Sequence, residues 1–185
     1  MKFTFLLLVV SVLSFSVRAQ EIENVKIELD YIFKKSLELR KDVRSTALKY
    51  GFESPQMDSL NNIITSFDKS SLIKVIDIID EYGWLGISQI ENMANQALYL
   101  TIQHAQSNEV RIKYFPLLKA SAEKGDSNLA DMATMHDRIL VGKGESQLYG
   151  TQYKLINGKN EFFPIEEIKY INKRRRKVGL KKLRI

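Results

Sequence analysis

The chain contains no cysteine. That removes a thiol nucleophile, a disulfide framework and lipid attachment at an N-terminal cysteine. Two histidines, with no cysteine beside them, are too few for a histidine-rich metal site, and no run of carboxylates has calcium-loop spacing. Neither a metal nor a cofactor is therefore expected. No serine stands in a Gly-x-Ser-x-Gly setting, which leaves acid–base or electrostatic chemistry as the only routes for catalysis and leaves open whether there is any. Three prolines in 185 residues and no low-complexity tract give no sign of a linker, and no internal repeat is present.

Long apolar runs are also scarce. The one candidate, Phe3 to Val17, follows Met1-Lys2 and ends in Val17-Arg18-Ala19, a positive start, an apolar stretch and a small-x-small cleavage pattern. It is shorter than the roughly 20 apolar residues of a spanning helix. Residues 1–19 are accordingly expected to be a signal peptide cleaved after Ala19, giving an exported, periplasmic or secreted protein with no membrane span once cleaved. Residues 20–185 are long enough for one domain with a single core.

The net charge of +6 is uneven. Lys173, Arg174, Arg175, Arg176, Lys177, Lys181, Lys182 and Arg184 lie in a closing stretch without an acid. Without those eight and the two cations of residues 1–19, the body is mildly acidic, so basicity is a C-terminal property. Such a tail attracts nucleic acid or anionic lipid in principle. Export separates the protein from most nucleic acid, so a nucleic-acid partner is not expected, and the partner stays an unspecified small molecule or protein.

Apolar periodicity predicts a mainly α (α+β) fold, a helical bundle with one C-terminal β-hairpin. Ile22, Val25, Leu29, Ile32, Phe33 and Leu37 recur at helical steps, predicting a helix that continues toward Leu48 and ends near Gly51. Ser54-Pro55 reads as a cap and first helical residue, opening a short helix through Ile64. Asp68 is expected to cap the next, whose dense Leu72, Ile73, Val75, Ile76 and Ile79 suit the core. After a turn at Trp84-Leu85-Gly86, helices are expected over Ser88 to Ala105, Glu109 to Lys124, and Ser127 to Val141, the last capped by Asp126. The hairpin is placed near 147–164, turning at Asn157-Gly158, with a basic helix from about Ile165.

Two polar clusters about thirty residues apart carry the candidate chemistry. One is Gln103-His104-Ala105; the other is Asp137-Arg138, followed by Gln147-Leu148-Tyr149-Gly150-Thr151-Gln152. His104 is a candidate proton shuttle or else a histidine that hydrogen-bonds a neighbouring loop. Asp137 and Arg138 point about 100° apart on a helix, so each needs its own partner. In one arrangement Asp137 orients His104 as a catalytic pair while Arg138 grips an anionic group, with Gln103, Tyr149 and Gln152 completing a ligand site. In the other, Arg138 ties down the Tyr149 to Gln152 loop through carbonyls. Trp84, between glycines, either walls a ligand pocket or plugs the core. His136 falls at packing positions with Met132 and Ile139, and Gly142-Lys143-Gly144 reads as a helix stop.

Tyr82-Gly83-Trp84-Leu85-Gly86, Gln103-His104-Ala105, Ala130-Asp131-Met132-Ala133 leading to Asp137-Arg138, the Gln147 to Gln152 block, and Lys173-Arg174-Arg175 with Val178-Gly179-Leu180 together resemble a bacterial family catalogued as domain of unknown function 6624. The resemblance spans about Leu39 to Leu180. It implies a shared fold and a shared polar constellation without implying a reaction. It also implies a role within the domain for Arg174 and Arg175, which join the ligand-site candidates. This chain departs from the family pattern where members often carry a Gly-Glu pair after the tryptophan turn; here the residues are Gln89-Ile90-Glu91-Asn92. Three functions remain open: a site-bearing domain for a small polar or anionic ligand or peptide, a noncatalytic envelope or interaction domain in which the cluster is structural, and an electrostatic binder working through its basic tail.

Overall fold

The computed structural model describes residues 2–156 and 159–184, with the backbone alone at 2–16, Leu155 and Lys159. The helices are α1 (Lys2–Arg40), α2 (Val43–Tyr50), α3 (Pro55–Tyr82), α4 (Ile87–Gln103), α5 (Asn108–Glu123), α6 (Leu129–Gly142) and α7 (Ile171–Lys177). A hairpin, β1 (Tyr153–Ile156) and β2 (Lys159–Phe162), lies between the last two. The fold is thus mainly α with a C-terminal hairpin. None of the described helices is long and apolar enough to cross a membrane. The chain divides into two compact units, Met1–Ile78 with Ile87–Leu98, and Ile79–Gly86 with Tyr99–Ile185.

In the first unit Leu29, Ile32, Met57, Val75, Ile78, Ile90, Ala94 and Leu98 are buried. The long N-terminal helix does not continue to Leu48: it breaks at Lys41-Asp42, where the Lys41 amide is shared between the Leu37 and Glu38 carbonyls. Leu37 is exposed. The inward stripe continues instead through Ser36 and Arg40, whose guanidinium holds both oxygens of Asp68 at 2.8 and 2.6 Å and also donates to the Ser36 hydroxyl. Asp68 is therefore an ion-pair partner and not a cap. With no glycine or proline between Pro55 and Tyr82, two expected helices run as one.

Ser54 does cap that helix, its hydroxyl accepting the Met57 amide at 3.3 Å. Ile73 is exposed although its neighbours Val75 and Ile78 are buried, because a helix this rich in apolar residues has more of them than one inward face can take.

Helix α4 is kinked at Glu91, with φ 63° and ψ 172°. That region is almost reserved for glycine, since a β-carbon there crowds the backbone. The Lys26 ammonium donates to the Glu91 carboxylate at 2.6 Å, but an exposed ion pair offsets little. Glu91→Gly is expected to raise unfolding stability by roughly 1–2 kcal/mol by removing backbone strain, measured by urea denaturation; a loss of stability would show that Glu91 is not strained.

In the second unit α5 and α6 pack together around Tyr114, Leu118, Ala122, Met132, Met135 and Ile139, with Leu85, Tyr99, Ile102, Ile171 and Val178 also buried. Asn128, not Asp126, caps α6, its side chain accepting the Ala130 amide at 2.8 Å. Asp126 lies against Gly86 so closely that any β-carbon there would fall on its carboxylate. The final helix starts later than Ile165, because Ile165 bridges to Gln147 and Glu167 takes a left-handed conformation, leaving a 3-10 turn at Ile168–Tyr170 before α7. The hairpin register pairs Tyr153 with Phe162 and Ile156 with Lys159. The expected Asn157-Gly158 turn lies outside the described residues.

Candidate functional site

Every candidate residue falls in the second unit. Asp137 sits on α6, completely shielded from water at 0 % exposure. Its Oδ1 accepts the Leu148 amide at 2.8 Å and the Tyr149 amide at 3.0 Å; Oδ2 accepts the Thr151 amide at 3.0 Å and the Thr151 hydroxyl at 2.9 Å. A carboxylate offers about four lone-pair directions. All are taken by one loop, so Asp137 has none left with which to orient an imidazole.

The carbonyls of the same loop are held from α7. Arg174 Nε donates to Leu148 O at 2.6 Å, and its Nη2 donates to Glu166 O. Arg175 Nη1 donates to Tyr149 O at 2.5 Å, and its Nε to Lys181 O at 2.6 Å. Burial pushes the Arg175 guanidinium below its usual range, and the negative charge of Asp137 partly restores it. A buried backbone must find partners for both its amides and its carbonyls. Here an acid supplies acceptors for the amides and two arginines supply donors for the carbonyls, with opposite charges on the two sides of the strand of loop.

Gln147 closes the loop at its base. Its Nε2 donates to Gln152 O at 2.8 Å and Phe163 O at 3.0 Å, while its Oε1 accepts the Gln152 amide at 2.8 Å. Gly150, with φ 64°, passes so near Ile171 and Leu183 that a β-carbon would overlap both. Tyr149 is half-buried, and burial followed by the Asp137 charge raises its phenol. Trp84 is buried, its indole N–H donating to the Ser127 hydroxyl at 3.2 Å, so it packs within the unit.

Arg138 faces another way. Its Nε donates to Gln152 Oε1 at 3.2 Å and its Nη1 to Gln103 O at 2.8 Å. Arg138, Gln103 and Gln152 are thus brought together. A second guanidinium reaches the same carbonyl: Arg111 Nη1 donates to Gln103 O at 3.4 Å and to Ala105 O, while its Nε donates to Asn108 Oδ1 at 3.1 Å. Arg111 is only 8 % exposed. Burial lowers its pKa, and the neighbouring charge of Arg138 lowers it further. Among the described residues neither arginine has a carboxylate partner in an ion pair. The side-chain Oε1 of Gln103 is buried without a hydrogen-bond partner.

The two arginines satisfy carbonyls that the end of α4 leaves without intrahelical donors. His104 follows on the exposed side of that end, its backbone amide bonded to Leu100 O. Tyr99, buried on the preceding turn, bonds Thr134, and burial pushes its phenol well above the ordinary range. His136 packs its ring on Phe115 with centroids 4.9 Å apart, and burial pushes its imidazole pKa down. No group of histidine and carboxylate side chains among the described residues has a metal-holding arrangement.

Arg111 was not legible as part of this cluster from the sequence. A lone arginine in the first turns of an amphipathic helix reads as solvated charge, and the only local hint is Asn108 three residues earlier, on the same face. Gln147 and Thr151 stood within a recognised block, but nothing in that block shows that the first would be a base clamp and the second a ligand of Asp137. No curated protein and no solved structure matches the chain. The model of one family of unknown function (DUF6624) matches residues 30–185, and the chain belongs to that family.

Proposed function

We propose that this is an exported domain that binds a small anionic group, a carboxylate or phosphate, between Arg111 and Arg138, and that the Asp137 half of the polar cluster is a brace that makes the seat rigid. One observation carries the reading: two guanidinium groups converge on the single carbonyl of Gln103, one of them nearly buried, with no carboxylate paired to either among the described residues. Like charges this close repel by a few kcal/mol at the effective dielectric of a protein. An anion lying across both would relieve that repulsion and take up the donors the named bonds leave over, chiefly the Nη2 groups of the two arginines.

Catalysis is not part of the reading. The acid that would serve His104 is committed to the loop; the arginines are bonded to amides and carbonyls, with the Glu109 carboxylate acting on Arg111 only through its charge. The alternative, that the two arginines only terminate α4, predicts that they gain nothing from an anion. Calorimetric titration with inorganic phosphate and with succinate at low ionic strength separates the two. Saturable binding with one site per chain supports the seat; heats no larger than those of chloride at equal ionic strength would remove it. Export rests on the pattern of residues 1–19, and protein recovered from outside the cytoplasm should begin at Gln20. An intact Met1 on that material would count against cleavage.

A further inference from the structure

Helical spacing divides α7 and the turn after it into two faces. Ile171, Arg175 and Val178 are buried, whereas Lys173, Arg176 and Lys177, three and four residues apart, share the exposed face. Gly179, at φ 74°, ends the helix: the Leu180 amide donates to Arg175 O at 3.0 Å and the Gly179 amide to Arg176 O at 3.3 Å.

The chain then doubles back and is held there. Arg175 Nε donates to Lys181 O at 2.6 Å. Asn172 Nδ2 donates to Leu183 O at 3.1 Å, and the Leu183 amide returns a bond to Asn172 Oδ1 at 2.8 Å. Lys181, Lys182 and Arg184, all exposed, are therefore mounted on a fixed backbone beside α7. Charge runs that need only to be solvated do not require such fastening.

None of these six cations is in an ion pair among the described residues. In the 3-10 turn that leads into the same helix, Ile168 is 53 % exposed and Tyr170 46 % exposed. Exposed cations close in sequence to an outward aliphatic residue and an amphipathic ring are the combination that suits a lipid interface, with charges at the headgroups and apolar parts below them.

We propose that the face made by Ile168, Tyr170, α7 and the clipped segment through Arg184 docks on an anionic lipid surface. An aliphatic side chain gains nothing from a phosphate backbone, which is why lipid is favoured over nucleic acid. This inference is independent of the anion seat, since it uses none of the same side chains.

The test is co-sedimentation of the mature protein, residues 20–185, with phosphatidylcholine vesicles, with and without phosphatidylglycerol, at low and high salt, alongside titration with duplex DNA. Binding is expected only to the anionic vesicles and is expected to fall with salt. Each cation contributes roughly fivefold in partitioning, so Lys173→Gln, Arg176→Gln and Lys177→Gln combined should lower it on the order of a hundredfold. Ile168→Ser with Tyr170→Ser should lower vesicle binding several-fold, in proportion to apolar area lost from the interface. Equal affinity for neutral and anionic vesicles, indifference to the triple change, or DNA binding tighter than vesicle binding and unaffected by the two serines would each overturn the proposal.

Discussion

Asp137→Asn is expected to lower the unfolding free energy by about 3–5 kcal/mol, the usual cost of removing one partner from a buried charged network. For a chain of this size that is a fall in Tm of roughly 6–20 °C. The reason is local. The asparagine side chain would keep one carbonyl oxygen and would present an amide group either to the Leu148 and Tyr149 donors, where Oδ1 is replaced, or to those of Tyr149 and Thr151, where Oδ2 is replaced. Donors facing donors in a site closed to water cost far more than the net worth of an ordinary hydrogen bond. Differential scanning calorimetry of the purified variant decides it: a Tm within a degree or two of the parent would mean that the loop does not depend on the carboxylate, and would return Asp137 to the list of free acids.

The second large effect concerns affinity. Arg111→Gln and Arg138→Gln should each weaken phosphate binding roughly 10- to 100-fold, the range for losing hydrogen bonds to a charged group, as read from calorimetric titration of each variant. Arg138→Lys should recover little of the loss, since an ammonium cannot present two parallel donors. The two glutamine changes together should be less than additive, because the repulsion between the guanidinium groups disappears with the first of them. Unaltered affinity in both single variants would place any bound phosphate elsewhere.

Much of the fold was legible because helix periodicity and caps are local signals. Ser54-Pro55 opened a helix as read, Gly125 and Gly144 stand just past helix ends, and the hairpin pairs Tyr153 with Phe162 as the turn spacing required. Errors came where a long-range partner overrode a local preference. Asp68 has a capping side chain, but Arg40, 28 residues earlier, claims it. Asp126 is well placed to cap α6, but it lies on Gly86, leaving the cap to Asn128. Glu91 occupies a glycine conformation that no single-residue propensity would assign to it.

The candidate site was half legible for the same reason. Arg138, Gln103 and Gln152 do meet, and the loop from Gln147 to Gln152 is indeed where polar side chains converge. What the residues could not reveal was the division of labour. Asp137 and Arg138 are neighbours in sequence, and the helix turns one toward the loop and the other toward the end of α4. Whether an acid is free or spent depends on donors supplied by backbone amides eleven to fourteen residues on, and a backbone amide leaves no mark in the residue types that carry it.

The most direct measurement is the response of individual arginine Nε–H resonances to inorganic phosphate in the nitrogen-15-labelled protein. Those of Arg111 and Arg138, bonded to Asn108 and Gln152 beside the seat, are predicted to shift together along one saturable curve, while those of Arg174 and Arg175, on α7 and outside the seat, stay in place. Four resonances moving alike, or none moving while the protein remains folded, would contradict the anion seat.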